Sequence, residues 1–264
     1  KDTNEYLIVA TTRPETMLGD TGIAVNPKDK RYKKLIGKTV LLPIVNREIP
    51  IFADDYVDME FGTGCVKVTP AHDPNDFAMA ERHDLEIINI MYPDATMNDK
   101  APSRYHKLKI GEARKKVVKE MTGLKLVKNI EDFKHNVGYS ERTNAVVEPY
   151  LSKQWFLKME TMAQAALQVV KDEDVKIYPN KWIKTYNHWL ENIKDWCISR
   201  QLWWGQRIPV FYCGECNHEW AVLEASSCSK CESTNIRQDE DVLDTWFSSW
   251  LWPFATLGWP EDET

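Results

Sequence analysis

Long apolar runs and abundant cysteine are both missing from this 264-residue sequence. No stretch approaches the roughly 18 to 20 consecutive apolar residues of a membrane span, and no charged-then-apolar segment near Lys1 resembles a secretory signal. Six cysteines are too few for a disulfide scaffold in a chain of this length. We therefore expect a cytoplasmic protein in a reducing compartment, without a membrane partner.

Excess positive charge is missing as well, since 34 basic residues are outnumbered by 40 acidic ones and the net charge is −6. An acidic surface excludes general binding of polyanions, so any nucleic-acid contact must be a local patch or the recognition of an end. The length and the hydrophobic content of 43% suit two unequal domains. We expect a monomer, and because the sequence starts at Lys1 rather than at methionine, we expect an excised piece of a longer protein.

Short β-type runs separated by turn residues dominate the first 148 residues, whereas tryptophan and helical periodicity dominate from residue 149 onward. Many short strands at close spacing favour a barrel. The predicted fold is therefore α+β, with a β-barrel-like domain and peripheral helices over 1–148 and a helix-rich segment over 149–264. Strands are predicted at 6–10, 23–25, 39–45, 48–52, 65–69 and 85–90, and helices at 76–83 and 111–121.

One predicted strand ends in a polar cluster. Alternation along this strand places Lys67 and Thr69 on the same face. Asp73 and Asp76 follow closely, so the four side chains can converge at the end of the strand. The glycine-containing turn before the strand is not followed by Gly-Lys-Ser/Thr, which excludes a P-loop there.

Helix capping is an alternative explanation for the two aspartates. Asp73 before Pro74 is typical of an N-cap with proline at N1, and Asp76 then occupies the capping-box position. Both roles can hold together, because a helix N-terminus keeps carboxylates ionised and so suits a site for an ammonium group. His72 is as consistent with a packed, hydrogen-bonded histidine as with a base.

A second polar run, Thr11, Thr12, Arg13 and Thr16, directly follows the apolar run 6–10. Three hydroxyls and a guanidinium at a strand end can form a binding rim. The alternative is an ordinary hydrophilic turn whose shape is set by Pro14.

Four of the cysteines form two CxxC pairs, Cys213 with Cys216 and Cys228 with Cys231. Two such turns can present four thiolates to one tetrahedral Zn²⁺. Four thiolates leave no open coordination position, so the predicted zinc is structural. The alternative is four free structural thiols.

Five segments together resemble the class I aminoacyl-tRNA synthetases for valine, isoleucine and leucine, and all five are similar to the valine type. They are TRPETMLGDT at 12–21, PAHDPNDF at 70–77, VEPYLSKQWF at 147–156, DWCISRQLWWG at 195–205 and DVLDTWFSS at 241–249. The resemblance implies that residues 1–148 are the editing domain of such an enzyme. It also implies that residues 149–264 return into the nucleotide-binding catalytic domain and carry the zinc knuckle.

Editing would here mean hydrolysis of the aminoacyl ester of mischarged Thr-tRNA(Val) at the tRNA 3′ end. An apolar synthetic site rejects threonine, an isostere of valine, by only about 10²-fold, so a second sieve is needed. The resemblance implies that Asp76 holds the α-ammonium of the substrate. It implies further that Asp73, Lys67 and Thr69 share contacts to the threonine hydroxyl and the terminal ribose.

The resemblance assigns the polar rim to substrate binding. Arg13 and Thr16 would line the ester, with Thr11 and Thr12 beside them, and Phe61 would contact the terminal adenine or the aminoacyl group. Positioning a water and stabilising the oxyanion can suffice for an activated ester. In agreement, the sequence has no Gly-x-Ser-x-Gly nucleophile elbow.

Two motifs that bind ATP and support activation in this family, His-x-Gly-His and Lys-Met-Ser-Lys-Ser, do not occur in this sequence. Aminoacylation of tRNA(Val) with valine, ATP and Mg²⁺ is therefore expected only of the intact enzyme. Two alternatives stay open: an editing domain of the isoleucine or leucine type, and a non-catalytic zinc-ribbon module that binds tRNA. Deacylation assays distinguish them.

Overall fold

The computed structural model describes residues 5–141 and 143–260. The chain divides into two compact units, the first ending at Ser152 and the second beginning at Lys153. Helices and small sheets occur in both units, so the predicted mixture of α and β structure is confirmed. The division lies four residues beyond the predicted boundary at 148, and the roles assigned to the two parts stay predictions.

In the first unit, a four-stranded sheet runs in the order β2-β3-β1-β4. β1 is parallel to β3, whereas the outer pairs β2·β3 and β1·β4 are antiparallel. Its strands are β1 (Gly22–Val25), β2 (Thr39–Leu42), β3 (Arg47–Ala53) and β4 (Cys65–Val68), and its helices are α1 (Pro74–His83) and α2 (Ile110–Gly123). Two 3₁₀ helices span Pro14–Gly19 and Ser103–Tyr105.

The expected barrel is not found among the described residues, because β2 and β4 remain the two edges of an open sheet. The strand predicted at 6–10 does not form, and Tyr6 is 73% exposed with no strand partner to shield it. The strand predicted at 85–90 is also wrong. The Ile90 N–H donates to the His72 ring, and the Ile90 carbonyl accepts the Asn98 N–H. These backbone groups are therefore not available for hydrogen bonds to a neighbouring strand.

The core of the first unit lies between the sheet and α2. Val25 and Ile49 contribute from the strands, and Ala113 and Val117 from one face of α2, all of them buried. A smaller cluster joins Val68 of β4 to Met79 of α1, which holds the start of α1 beside the end of β4.

The second unit combines a three-stranded antiparallel sheet, ordered β10-β8-β9, with two short strand pairs, β5·β6 and β7·β11. Its strands are β5 (Phe156–Leu157), β6 (Trp196–Cys197), β7 (Ser199–Arg200), β8 (Val210–Cys213), β9 (Glu219–Ala221), β10 (Ile236–Gln238) and β11 (Val242–Leu243). Its α-helices are α3 (Glu160–Lys171), α4 (Ile183–Glu191), α5 (Thr245–Ser249) and α6 (Trp252–Ala255), with a 3₁₀ turn at Asn180–Trp182.

Candidate functional site

A buried ammonium group organises the polar cluster of the first unit. Lys67 Nζ lies 2.6 Å from Thr69 Oγ1, 3.0 Å from Thr16 Oγ1 and 3.1 Å from Asp20 Oδ1. Thr69 also donates its hydroxyl to Asp20 Oδ1. All four side chains are buried, so the charges and hydroxyls interact in a medium of lower dielectric than water.

Local structure explains how these residues meet. Lys67 and Thr69 project from the same side at the end of β4, as alternation predicts. The 3₁₀ helix Pro14–Gly19 brings Thr16 and Asp20 to them, and Thr21 N–H fastens its end to the Val68 carbonyl at 3.0 Å. A Cβ at Gly19 would lie 3.0 Å from the Ile88 carbonyl oxygen, so a larger residue there would require this backbone to shift by a few tenths of an ångström.

Asp76 lies in the first turn of α1 and is 8% exposed. Its Oδ2 accepts the Thr69 N–H at 2.8 Å, so it joins the cluster through the backbone of β4. Burial raises the pKa of Asp76 to about 6, an effect that the Thr69 N–H opposes and the neighbouring Asp73 reinforces. A carboxylate has more acceptor sites than this one bond uses, so Asp76 can accept further hydrogen bonds from a ligand.

Asp73 is the N-cap of α1, as its position before Pro74 predicts. Its Oδ1 accepts the N–H groups of Asn75 at 2.8 Å and Asp76 at 3.2 Å. The capping-box role considered for Asp76 is wrong, because its carboxylate bonds Thr69 rather than the Asp73 backbone. Asp73 is half-buried, so part of its carboxylate is accessible.

His72 is a packed histidine. Its Nε2 accepts the Ile90 N–H at 3.1 Å, which leaves the proton on Nδ1, 3.2 Å from the Pro149 carbonyl oxygen. Burial lowers the pKa of His72 to about 4. Both ring nitrogens are therefore used by the backbone, and the imidazole is not placed to act as a base.

The polar rim divides into one bridging residue and several exposed ones. The Arg13 guanidinium donates to the His72 carbonyl at 2.7 Å and pairs with Glu148. Its backbone carbonyl accepts the Thr16 hydroxyl, so Arg13 links the rim to the Lys67 cluster through the backbone. The predicted site residues Thr11, Thr12 and Phe61 are exposed.

The Phe61 turn lies beside the rim. A Cβ added to Gly62 would lie 3.7 Å from the Ala10 Cβ, so the two loops approach closely. The ring of Phe61 is 68% exposed, which is unusual for an aromatic side chain that takes part in a core. The turn therefore presents an accessible aromatic ring next to Thr11.

The four predicted metal-binding cysteines come together in the second unit. Cys213 Sγ lies 3.5 Å from Cys231 Sγ, Cys216 Sγ lies 3.7 Å from Cys228 Sγ, and all four sulfurs lie within 4.8 Å of one another. A Zn–S bond of about 2.3 Å in a tetrahedron gives an S–S edge of about 3.8 Å. The four sulfurs therefore fit one tetrahedral ion.

Backbone N–H groups support the same cluster. Those of Glu215 and Lys230 point to the sulfurs of Cys213 and Cys228, each at 3.4 Å. The N–H groups of Cys216 and Glu215 lower the pKa of the Cys213 thiol to about 7, which favours the thiolate that a metal binds. In each knuckle a backbone N–H thus donates to the sulfur of the first cysteine.

Comparison with known proteins decides the family. The family described as tRNA synthetases class I (I, L, M and V) matches residues 5–264. The chain belongs to this family. As for membranes, none of the helices in the described part of this synthetase chain is long and apolar enough to cross one.

Curated relatives of this class I synthetase chain confirm the predicted similarity to the valine type. The valine–tRNA ligase of Bacillus subtilis is 59% identical over 96% of the chain, that of Treponema denticola is 58% identical over 96%, and that of Thermotoga maritima is 54% identical over 99%. The alignments cover 28% to 30% of those three proteins, so the chain spans less than a third of their length. A solved ternary complex of Agrobacterium radiobacter K84 LeuRS with tRNA and LeuAMS aligns over 99% of this chain and 31% of that chain, with a TM-score of 0.37 and 16% identity.

Sequence reasoning did not assign roles in this site to three residues, Asp20, Glu15 and Arg114. Asp20 is 1% exposed and bonds both Lys67 and Thr69, and burial raises its pKa although Lys67 opposes the effect. Glu15, fully buried, is held by two bonds of 2.9 Å from Arg114 of α2. A lone acid inside the apolar stretch 17–25 was the available signal for Asp20, because a buried charge requires a partner. No local signal connects Glu15 with Arg114, which lies 99 residues away.

Proposed function

We propose that this chain hydrolyses the aminoacyl ester of mischarged Thr-tRNA(Val), as the editing part of a class I synthetase of the valine type. The observation that carries the proposal is the buried cluster of Lys67, Thr69 and Asp20 beside the buried carboxylate of Asp76. It offers a cation, hydroxyls and carboxylates to a small polar ligand. The valine-type relatives agree with this assignment.

Asp76 is proposed to bind the α-ammonium of the threonyl group. An ammonium donates three hydrogen bonds, and a partly desolvated carboxylate is a strong acceptor for them. Binding a cation also stabilises the ionised form of a carboxyl group whose pKa is raised to about 6. The substrate ammonium would thus add a cationic partner to the Thr69 N–H bond that Asp76 already accepts.

Lys67 and Thr69 are proposed to recognise the threonine hydroxyl, with Asp73 and the terminal ribose at the accessible side. A hydroxyl can exchange bonds with the oxygens and ammonium of this cluster, whereas the methyl group of valine cannot. Valine could open the bonds within the cluster but could not replace them, which costs about 1 to 3 kcal/mol for each buried group left without a partner. The sieve therefore selects for the hydroxyl that the synthetic site fails to reject.

The chemical step is addition of a water oxygen to the ester carbonyl carbon, followed by cleavage of the bond to the ribose oxygen. The products are threonine and tRNA with a free ribose hydroxyl. Arg13, Thr16, Thr11 and Thr12 would line the ester side, and Phe61 would stack on the terminal adenine or contact the aminoacyl group. No protein nucleophile is required, because the ester is already activated.

Other properties of the longer protein belong to the same proposal. They are a single structural zinc bound by the four clustered cysteines, activation of valine with ATP and Mg²⁺ in the intact enzyme, tRNA(Val) as partner, a monomeric state and a cytoplasmic location. The zinc would join the end of β8 and the turn after it to the loop between β9 and β10, and it would activate no water because four thiolates fill its coordination shell.

Deacylation of purified Thr-tRNA(Val) tests the proposal. The chain should release threonine, whereas Asp76→Ala should lose this activity. Glu81→Ala removes an exposed acid from the same helix and serves as the matched control, with activity unchanged. Normal turnover by Asp76→Ala would refute the ammonium site. Faster hydrolysis of Val-tRNA(Ile) or Ile-tRNA(Leu) would assign the other specificities, and binding of tRNA without any hydrolysis would favour the non-catalytic module.

A further inference from the structure

Positive charge is concentrated around α2, in a chain whose net charge is −6. Residues 104–128 contain nine lysines and arginines and only two acidic residues, a local net charge of +7. Such a density of one sign, in a protein of the opposite overall sign, produces a local positive field. It calls for an explanation beyond solubility.

Three members of this segment have partners within the fold. Arg104 pairs with Glu120, Arg114 pairs with Glu15, and Lys116 Nζ donates to the Arg104 carbonyl. The carboxylates of Glu120 and Glu15 therefore already pair with arginines, and they do not neutralise the remaining lysines. The other six lysines are exposed and form no ion pair among the described residues: Lys107, Lys109, Lys115, Lys119, Lys125 and Lys128.

Three of the free lysines stand where they lower the stability of α2. Lys115 and Lys119 are four residues apart on the face opposite the buried Ala113 and Val117, so two like charges are neighbours there. Lys109 is the N-cap residue, beside the positive end of the helix dipole. Helix stability therefore does not explain these charges, whereas an anionic partner would.

α2 is also tied directly to the proposed editing site. The two bonds from Arg114 hold Glu15, which lies next to Thr16 in the 3₁₀ helix Pro14–Gly19. Thr16 in turn bonds Lys67. α2 therefore contacts the 3₁₀ helix that carries Thr16, and the lysines on and beside α2 belong to the same compact unit as the Lys67 cluster.

We propose that the α2 lysines, meaning Lys115 and Lys119 on the exposed face of α2 together with the four free lysines that flank this helix, bind the phosphodiester backbone of the RNA whose aminoacylated end enters the Lys67 site. This assignment rests on the proposed editing function for the identity of the RNA. It provides the local patch that an acidic chain needs in order to hold a nucleic acid.

The test measures binding of non-acylated tRNA(Val) across a series of KCl concentrations. Lys115→Gln/Lys119→Gln should weaken binding several-fold at 0.1 M salt. It should also flatten the slope of log K against log[salt] by about 1.4 to 1.8, since each lost phosphate contact contributes about 0.7 to 0.9. Lys33→Gln/Lys34→Gln removes the same charge from two other exposed lysines of the first unit and should leave the slope unchanged.

Three results would overturn the proposal: no salt-dependent binding by the unmodified chain, equal losses in both double variants, or unchanged tRNA binding in the α2 variant. The last result, together with a loss of polyglutamate binding in that variant, would assign the surface to an acidic protein. Because the tRNA is not acylated, binding is measured independently of hydrolysis. A chain that hydrolyses nothing but still shows the α2 effect would refute editing and leave the RNA surface intact.

Discussion

Replacing Asp76 by asparagine removes a buried charge while keeping one hydrogen bond. The amide oxygen can still accept the Thr69 N–H that Asp76 Oδ2 accepts at 2.8 Å. The variant therefore separates the cost of ionising this carboxyl group from the local structure around it. We expect Asp76→Asn to be more stable than the unmodified chain at pH 8, and inactive in deacylation.

The magnitude follows from the pKa. Burial raises the pKa of Asp76 from an ordinary value of 3.8 to about 6. At about 1.36 kcal/mol per pKa unit, ionising this group at pH 8 costs the native state about 3 kcal/mol. The neutral amide avoids this cost, so the expected gain at pH 8 is about 3 kcal/mol.

The pH dependence has a definite sign. A carboxyl group whose pKa is higher in the folded state stabilises the protein below its unfolded pKa, and that contribution is lost as the pH rises through about 6. Asparagine does not titrate. The free energy of unfolding of Asp76→Asn, relative to that of the unmodified chain, should therefore rise by about 2 kcal/mol between pH 4 and pH 8. His72, whose pKa is lowered to about 4, titrates in both proteins and cancels in the difference.

Urea unfolding at pH 4, 6 and 8 measures the effect, with Glu81→Gln as an exposed control on the same helix. The control should match the unmodified chain at each pH. Two results would show that burial of Asp76 does not raise its pKa. In the first, Asp76→Asn is less stable than the unmodified chain at pH 8; in the second, the stability difference between the two proteins is the same at all three pH values. Deacylation on the same samples should be lost in Asp76→Asn alone.

Three further outcomes are expected. Lys67→Ala and Thr69→Val should each weaken transition-state binding of Thr-tRNA(Val) by about 1 to 3 kcal/mol, because each removes a buried polar partner. If kcat/KM is unchanged for both Thr-tRNA(Val) and Val-tRNA(Val), the polar sieve is excluded. Arg114→Ala should lower the free energy of unfolding by about 1 to 3 kcal/mol, since Glu15 is fully buried and loses both bonds to its partner; an unchanged urea midpoint would contradict this. Metal analysis should find one zinc per chain. Chelation of this zinc should speed hydrogen exchange in residues 205–240 while deacylation persists. If deacylation is lost together with the zinc, the chemistry belongs to the metal.

Local patterns were sufficient for much of this protein. Asp73 before Pro74 correctly predicted the start of α1, because capping depends on a few consecutive residues. Alternation placed Lys67 and Thr69 on one face of β4 for the same reason. The CxxC spacing predicted which four thiols meet, since a knuckle is a local turn and one tetrahedral centre needs two of them.

Only the tertiary structure decided the features that depend on burial and on distant partners. Four leucine and isoleucine residues within 85–90 gave this run the composition of a strand, yet the backbone of Ile90 is bonded to His72 and Asn98 rather than to a neighbouring strand. Asp20 bonds Lys67, from which it is separated by 47 positions in the sequence. Glu15 bonds Arg114, which is 99 positions away. The sequence alone determined which charges had to be accommodated; the packing of β4, the 3₁₀ helix and α2 determined which of them meet, because the free energy of a buried charge depends on every group that surrounds it.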